Sequence, residues 1–197
     1  MKFSDAVTHA VEKMRSPEFI KRIQEEDPTM HKHMAIIREI NELGFLTDNS
    51  QAGKRTCGKH YKNGVPYEEV ERAYISGFMK RAAAIAFIHN MALHTDKNAM
   101  HVPFCGTEPY KVGSGALDIP LTVVTMKGVT TIQTHMSTTI SKLDEPHIRA
   151  QVNLNKSDPV VYVFCWDSQW FRKASGQKGL FADVLRVLKR GLKEKSP

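Results

Sequence analysis

The sequence predicts one globular domain over residues 1–197, of α/β or α+β class, in which helices cover a small mixed β-sheet in two or three layers. Three observations predict it. Residues 1–43 have helical patterning, residues 119–166 hold β-branched and continuous apolar runs, and the stretch from Tyr67 to Leu93 reads as a long buried central helix. In that stretch Val70, Tyr74, Phe78, Ala82 and Ile85 recur every three or four residues, the spacing of one helix face. From Ala82 to Leu93 only His89 and Asn90 are polar, so burial on more than one side is expected, with a break near Gly77. The Lys80-Arg81 pair interrupts the apolar run and argues against a membrane span.

Taken in order, residues 3–15 form an amphipathic helix with Phe3, Ala6, Val7, Ala10, Val11 and Met14 on one side. Ser16-Pro17 ends it and opens a second helix, with Ser16 as cap and Pro17 in the first turn. Asp27-Pro28 repeats that signal for a third helix running to Leu43 and stopped by Gly44. Met30 and Met34 suit the filling of uneven core gaps. Phe45–Thr47 reads as a short strand, and residues 48–66, with Gly53, Gly58, Gly64 and Pro66, read as a loop. Beyond the central helix, residues 100–104 fit a short strand. Leu121–Met126 and Val129–His135 fit two strands turning at Lys127-Gly128, and His147–Leu154 fits a third. Val160–Trp166 is apolar at every position and is expected to be a central strand covered on both faces. Residues 180–192 form a last helix, apolar through Phe181, Val184, Leu185, Leu188 and Leu192 and basic on the opposite side.

The composition is that of a globular chain, 41% hydrophobic and 25% charged, long enough to bury a core without disulfides. Three scattered cysteines fit a reducing compartment. The first residues include Asp5 and Glu12 and lack the apolar centre of a secretory leader. An intracellular protein, cytoplasmic or nuclear and not secreted, is therefore expected. The net charge is +7, and residues 172–197 hold eight basic and two acidic side chains. A partner drawn by positive charge would meet that end of the chain.

Several residue sets could carry chemistry. Cys57 and His60, then His101 and Cys105, have the close spacing of two halves of a tetrahedral zinc site. Cys105, with His94 and His101 near it in sequence, is a candidate thiol nucleophile, whereas Cys165 inside an apolar strand fits inert core. Asp48 and Asp167 each follow a predicted strand, where ligand sites of α/β folds gather. Together they could hold a divalent metal or act as acid and base, with Ser50, Glu108 or Asp118 assisting, although Asp in this position also turns the chain by bonding its own backbone. Gly53-Lys54-Arg55-Thr56 and Gly113-Ser114-Gly115 lack the frames of the phosphate and dinucleotide loops. A cationic surface with aromatic side chains could receive nucleic acid. It would consist of Lys54, Arg55, Lys59, Tyr61 and Lys62, then Trp170, Arg172, Lys173 and Lys178, then Arg186, Lys189, Arg190 and Lys193.

Three functions follow from these sets. The first is a non-enzymatic protein that binds nucleic acid or an acidic protein partner in a structural or packaging role. The second is a metal-assisted hydrolase or phosphate-processing enzyme using Asp48 and Asp167. The third is an assembly subunit without a small ligand, packing its Met-rich N-terminal helices on a partner.

Overall fold

A computed structural model describes residues 1–62, 64–94, 101–106, 118–137, 144–170 and 179–193. For residues 56–62, 94, 101–106, 118, 136–137 and 192–193 it describes the backbone alone. The order along the chain is α1 (Phe3–Arg15), α2 (Pro17–Glu26), α3 (Pro28–His31), α4 (Met34–Glu42), β1 (Leu46–Gln51), β2 (Arg55–Lys62), β3 (Val65–Glu71), β4 (Tyr74–Lys80), α5 (Arg81–His94), β5 (His101–Gly106), β6 (Asp118–Met126), β7 (Val129–Ser137), α6 (Glu145–Gln151), β8 (Val160–Asp167) and α7 (Leu180–Lys193). The strands form two four-stranded sheets, ordered β1-β4-β8-β5 and β2-β3-β6-β7. The domain is thus mixed α/β, as the sequence predicts. The expected single mixed sheet is instead two sheets, and every strand pair among the described residues is antiparallel.

The continuous apolar run of β8 follows from its position between β4 and β5. A strand sends alternate side chains to opposite faces. Val161, Val163 and Cys165 join Ile75 and Met79 of β4 in a core closed by α4, α5 and α7, through Ile37, Ile40, Phe87, Met91, Phe181 and Val184. Tyr162, Phe164 and Trp166 join Tyr74 and Phe78 in a second core, closed by Phe3 and Ala6 of α1 and by Ile119 and Leu121 of β6. Complete burial of a side chain such as Phe164 or Val163 contributes roughly 1.5–3 kcal/mol.

The helix ends follow the capping signals. Ser16 Oγ accepts from Phe19 N at 3.2 Å, and Asp27 Oδ1 accepts from Thr29 N and Met30 N at 3.1 and 3.0 Å. The third predicted helix divides into α3 and α4 at Lys32-His33, where His33 is buried with its ring 5.4 Å from that of Phe181 on α7. The Lys127-Gly128 turn forms with both residues at positive φ, pairing Met126 with Val129. No helix among the described residues is long and apolar enough to cross a membrane.

Three predicted elements are corrected. The long central helix is three elements, β3, β4 and α5, and only its second half is helical. A spacing of four residues keeps side chains on one face of a strand as well as of a helix, so Tyr74 and Phe78 satisfy both patterns. The loop over 48–66 holds the rest of β1, then β2, then a hairpin turn at Gly64 (φ +75°) that pairs Lys62 with Val65. The strand over 147–154 is helix α6, with Pro146 in its first turn and Glu145 paired to Arg149 one turn on at 2.9 Å. Arg149 Nη1 also donates to Asn155 O at 3.0 Å, which ties the end of α6 to the following loop.

β1 pairs with β4 through a bulge. Leu46 and Thr47 oppose Phe78 and Gly77, Asn49 opposes Ser76, and Asp48 is the extra residue. A Cβ on Gly77 would lie 2.1 Å from Leu46 O and 2.8 Å from Thr47 Cα, so only glycine lets the two backbones approach this closely. Gly77→Ala is predicted to lower unfolding free energy by about 3 kcal/mol, because backbone cannot yield as a flexible side chain would. Gly191→Ala in α7, whose Cβ would find Asn90 Nδ2 at 3.9 Å, is predicted to stabilise by about 0.5 kcal/mol. Urea unfolding of the two variants measures both.

Candidate functional site

Asp48, the extra residue of the bulge, faces the side of the sheet that carries Leu46, Tyr74, Phe78 and Tyr162. Bulges are often found beside functional sites. Ser76 Oγ donates to Asp48 Oδ1 at 2.8 Å, and Tyr162 Oη donates to Oδ2 at 3.3 Å. Burial raises the Asp48 pKa above the usual carboxylate range. The hydroxyls of Ser76 and Tyr162 and the backbone N–H groups of Asp48 and Asn49 pull it back only in part. Burial, with the Asp48 charge next in order, pushes Tyr74 up to about 12 and raises Tyr162 further. Both phenols therefore stay protonated and act as donors near neutral pH.

β1 is an edge strand, and α1 to α4 wrap around it. Asn41 of α4 fixes that contact by donating through Nδ2 to Thr47 Oγ1 at 2.8 Å and accepting from Thr47 N at 2.9 Å. Between helices and strand lies a cleft of about 300 Å³. Its walls are apolar, from Ala10, Met14, Phe19, Ile23, Met30, Met34 and Ile37. Thr47, Asp48, Asn49 and Ser50 of β1 supply polar groups, and His9, Lys13, Asp27, Gln151, Val152 and Asn153 complete the lining. An apolar enclosure with a few convergent polar groups and a pKa-shifted carboxyl is the usual form of a small-molecule site.

The two carboxylates predicted as a pair do not meet. Asp48 lines the cleft, while Asp167 continues the Val161, Val163, Cys165 alternation and belongs to the opposite face of the sheet. Asp167 is fully buried, and its Oδ1 accepts from Gln169 N at 2.9 Å, the backbone turn that Asp makes after a strand. Of the residues proposed to assist, Ser50 lines the cleft, and the side chains of Glu108 and Asp118 lie outside the described residues. Ser76 and Tyr162 complete the Asp48 cluster. The sequence conceals them because Ser76 falls in a stretch with helical spacing and Tyr162 in a run that reads as uniform core.

Cys57 and His60 belong to β2 in one sheet, and His101 and Cys105 to β5 in the other. Their side chains, and that of His94, lie outside the described residues. Among the described residues no three His, Cys, Asp or Glu side chains gather as a metal site requires. Cys165 is fully buried, and burial raises its pKa, so it remains an unreactive thiol.

The described part of the predicted cationic surface is largely paired within the chain. Lys54 Nζ meets Glu71 at 2.9 Å and Glu69 at 4.0 Å, Arg55 pairs with Glu68, Arg186 with Asp183, and Lys189 with Glu39 at 2.5 Å. Arg190 is exposed on α7, and the Trp170 ring lies under the Arg72 guanidinium. The side chains of Lys59, Tyr61, Lys62, Arg172, Lys173, Lys178 and Lys193 lie outside the described residues. A scan against protein-family models gives no match for this chain, and a search of curated proteins finds no significant similarity.

The raised pKa of Asp48 has a definite sign in stability. As pH rises above the ordinary carboxylate range, the unfolded chain loses this proton before the folded one does, so folding is weakened through the window up to the folded pKa. Asp48→Asn removes that loss. Denaturant midpoints between about pH 3 and pH 7 are predicted to show wild type losing stability relative to Asp48→Asn as pH rises, then a constant difference. A difference that stays flat with pH contradicts the assignment.

Proposed function

We propose that the protein binds a small amphiphilic ligand in the cleft beside β1, with Asp48 receiving its amine or hydroxyl head and the Met- and Ile-lined walls holding its apolar body. The observation that carries this reading is the Asp48 carboxylate at the cleft, held by Ser76 and Tyr162 and shifted by burial. Ser76, Tyr162 and the backbone N–H groups of Asp48 and Asn49 hold the carboxylate in place, and a cationic head would add a charge-assisted contact to it. Met30 and Met34 can adapt to the outline of the ligand. A cavity of this volume lies at the lower end of the range for small-molecule sites. The Asp48 cluster also has the parts of an acid–base group, which keeps this reading compatible with catalysis on the bound ligand.

The test compares hexylamine, hexanol and hexanoate by ligand-observed NMR. The amine and the alcohol are predicted to bind and the carboxylate to be rejected. Asp48→Ala is predicted to weaken the amine by about tenfold or more, as loss of a charge-assisted hydrogen bond does. Equal binding of all three heads, or an unchanged affinity in Asp48→Ala, removes the proposal.

The second reading is binding of nucleic acid or an acidic protein, supported by the net charge of +7 and by Lys189 and Arg190 on the exposed side of α7. An intracellular location suits it. Retention on a heparin column is predicted to fall as salt rises, and joint charge reversal of Arg186, Lys189, Arg190 and Lys193 is predicted to move elution to lower salt. Unchanged elution of that variant dismisses α7 as the contact.

A further inference from the structure

Away from the cleft, Arg72 and Ala73 carry the chain from one sheet to the other. The Arg72 backbone is held on both sides. Its N–H donates to Leu121 O of β6 at 2.8 Å, and its carbonyl accepts from Gln51 Nε2 of β1 at 3.3 Å. Asp167 N donates to Ala73 O at 2.8 Å, and the turn closed by Asp167 and Gln169 then brings Trp170 back against this crossing. The Arg72 guanidinium lies over the Trp170 ring, 4.1 Å from its centroid. A cation–π contact of this kind leaves the N–H donors of the guanidinium to other partners.

Among the described residues one of those donors, Nε, has no acceptor. Arg72 Nε is buried and makes no hydrogen bond, and Arg72 forms no ion pair among the described residues. A buried donor left in this state calls for an explanation, and a guanidinium has no second protonation state in which to hide it. The surrounding charge differs from that of the ion-paired cations. Lys54, Arg55, Arg186 and Lys189 each meet a carboxylate of the chain, whereas Asp167 acts on Arg72 only through its longer-range field.

We infer that Arg72, seated over the Trp170 ring, is a receptor for the phosphate group of a nucleotide or of a single-stranded nucleic acid. A planar fork of N–H donors matches two oxygens of a tetrahedral oxyanion. The net charge of +7 favours an oxyanion over a neutral ligand, and Asp167 opposes it, so the fork of Arg72 must supply the selectivity. Trp170 acts here as a positioning residue, since it orients the guanidinium.

The test is calorimetric titration of the intact protein with inorganic phosphate, adenosine monophosphate and an oligo-dT strand, at one ionic strength balanced with chloride. Saturable phosphate binding is expected, weakened about tenfold by Arg72→Gln. Arg72→Lys keeps the charge but loses the fork, and Trp170→Leu keeps the fork but loses its support. Both are expected to weaken binding, and they decide the matter if Arg72→Gln fails to fold. Tightest binding by the mononucleotide assigns the site to a free nucleotide, and tighter, length-dependent binding by oligo-dT assigns it to a strand. Asp48→Ala is expected to leave all three titrations unchanged, which separates this site from the cleft. Phosphate binding no tighter than chloride, or folded Arg72 and Trp170 variants with wild-type affinity, overturns the inference.

Discussion

The contact between Gly77 and the Leu46 carbonyl sets the geometry from which the rest of the domain is built. β4 has β1 on one side and β8 on the other, so its backbone path decides where both neighbours lie. With no Cβ at Gly77, β1 can press against it and take up an extra residue at Asp48. At the bulge the Asp48 carboxylate meets Ser76 and Tyr162, on two strands that the sequence separates widely. Asn41 then binds both the hydroxyl and the backbone N–H of Thr47 and draws α4 over the same strand. The cleft is the space that remains when α1 to α4 close around an edge strand whose outline the bulge has altered.

Features that depend on neighbouring residues could be read from the sequence, and those that depend on a distant partner could not. Ser16 and Asp27 cap their helices through their own side chains, and Lys127-Gly128 turns because its backbone takes positive φ, so both signals stand in the sequence itself. The uniform apolarity of Val160–Trp166 likewise reveals a strand with two cores. The stretch 67–80 misleads because spacing by four residues serves a helix and a strand equally. Asn63-Gly64 is the residue pair that two-residue hairpins prefer, and it marks the turn that the long-loop reading passes over. At the candidate site, Asp48 is legible as a carboxylate near a strand end. Its environment is not, because Ser76 and Tyr162 reach it only through the register of three strands.

Charge shows the same division. Counting residues identifies a basic protein, but only tertiary structure shows that Lys54 faces Glu71, that Arg55 faces Glu68 and that Lys189 faces Glu39. Exposed pairs of this kind contribute little to stability, of order 1 kcal/mol or less each. Their larger effect is on the surface field, which they shorten to local dipoles. Arg72 stands apart from them because an aromatic ring, and not a carboxylate at contact distance, lies against its guanidinium.

The central place of β8 also bears on how the chain is made. β4 pairs along its whole length with β8, Lys80 opposite Val160 and Tyr74 opposite Trp166, and much of the chain is synthesised between the two. A nascent chain that has completed its N-terminal helices therefore carries an apolar strand whose partner does not yet exist. Such an edge is prone to intermolecular pairing. Contacts of high sequence separation also form slowly, because the loop must close before they stabilise anything. The strand that gives the finished sheet two cores is thus the last of its strands to emerge from the ribosome, and the exposure of β4 lasts until it does.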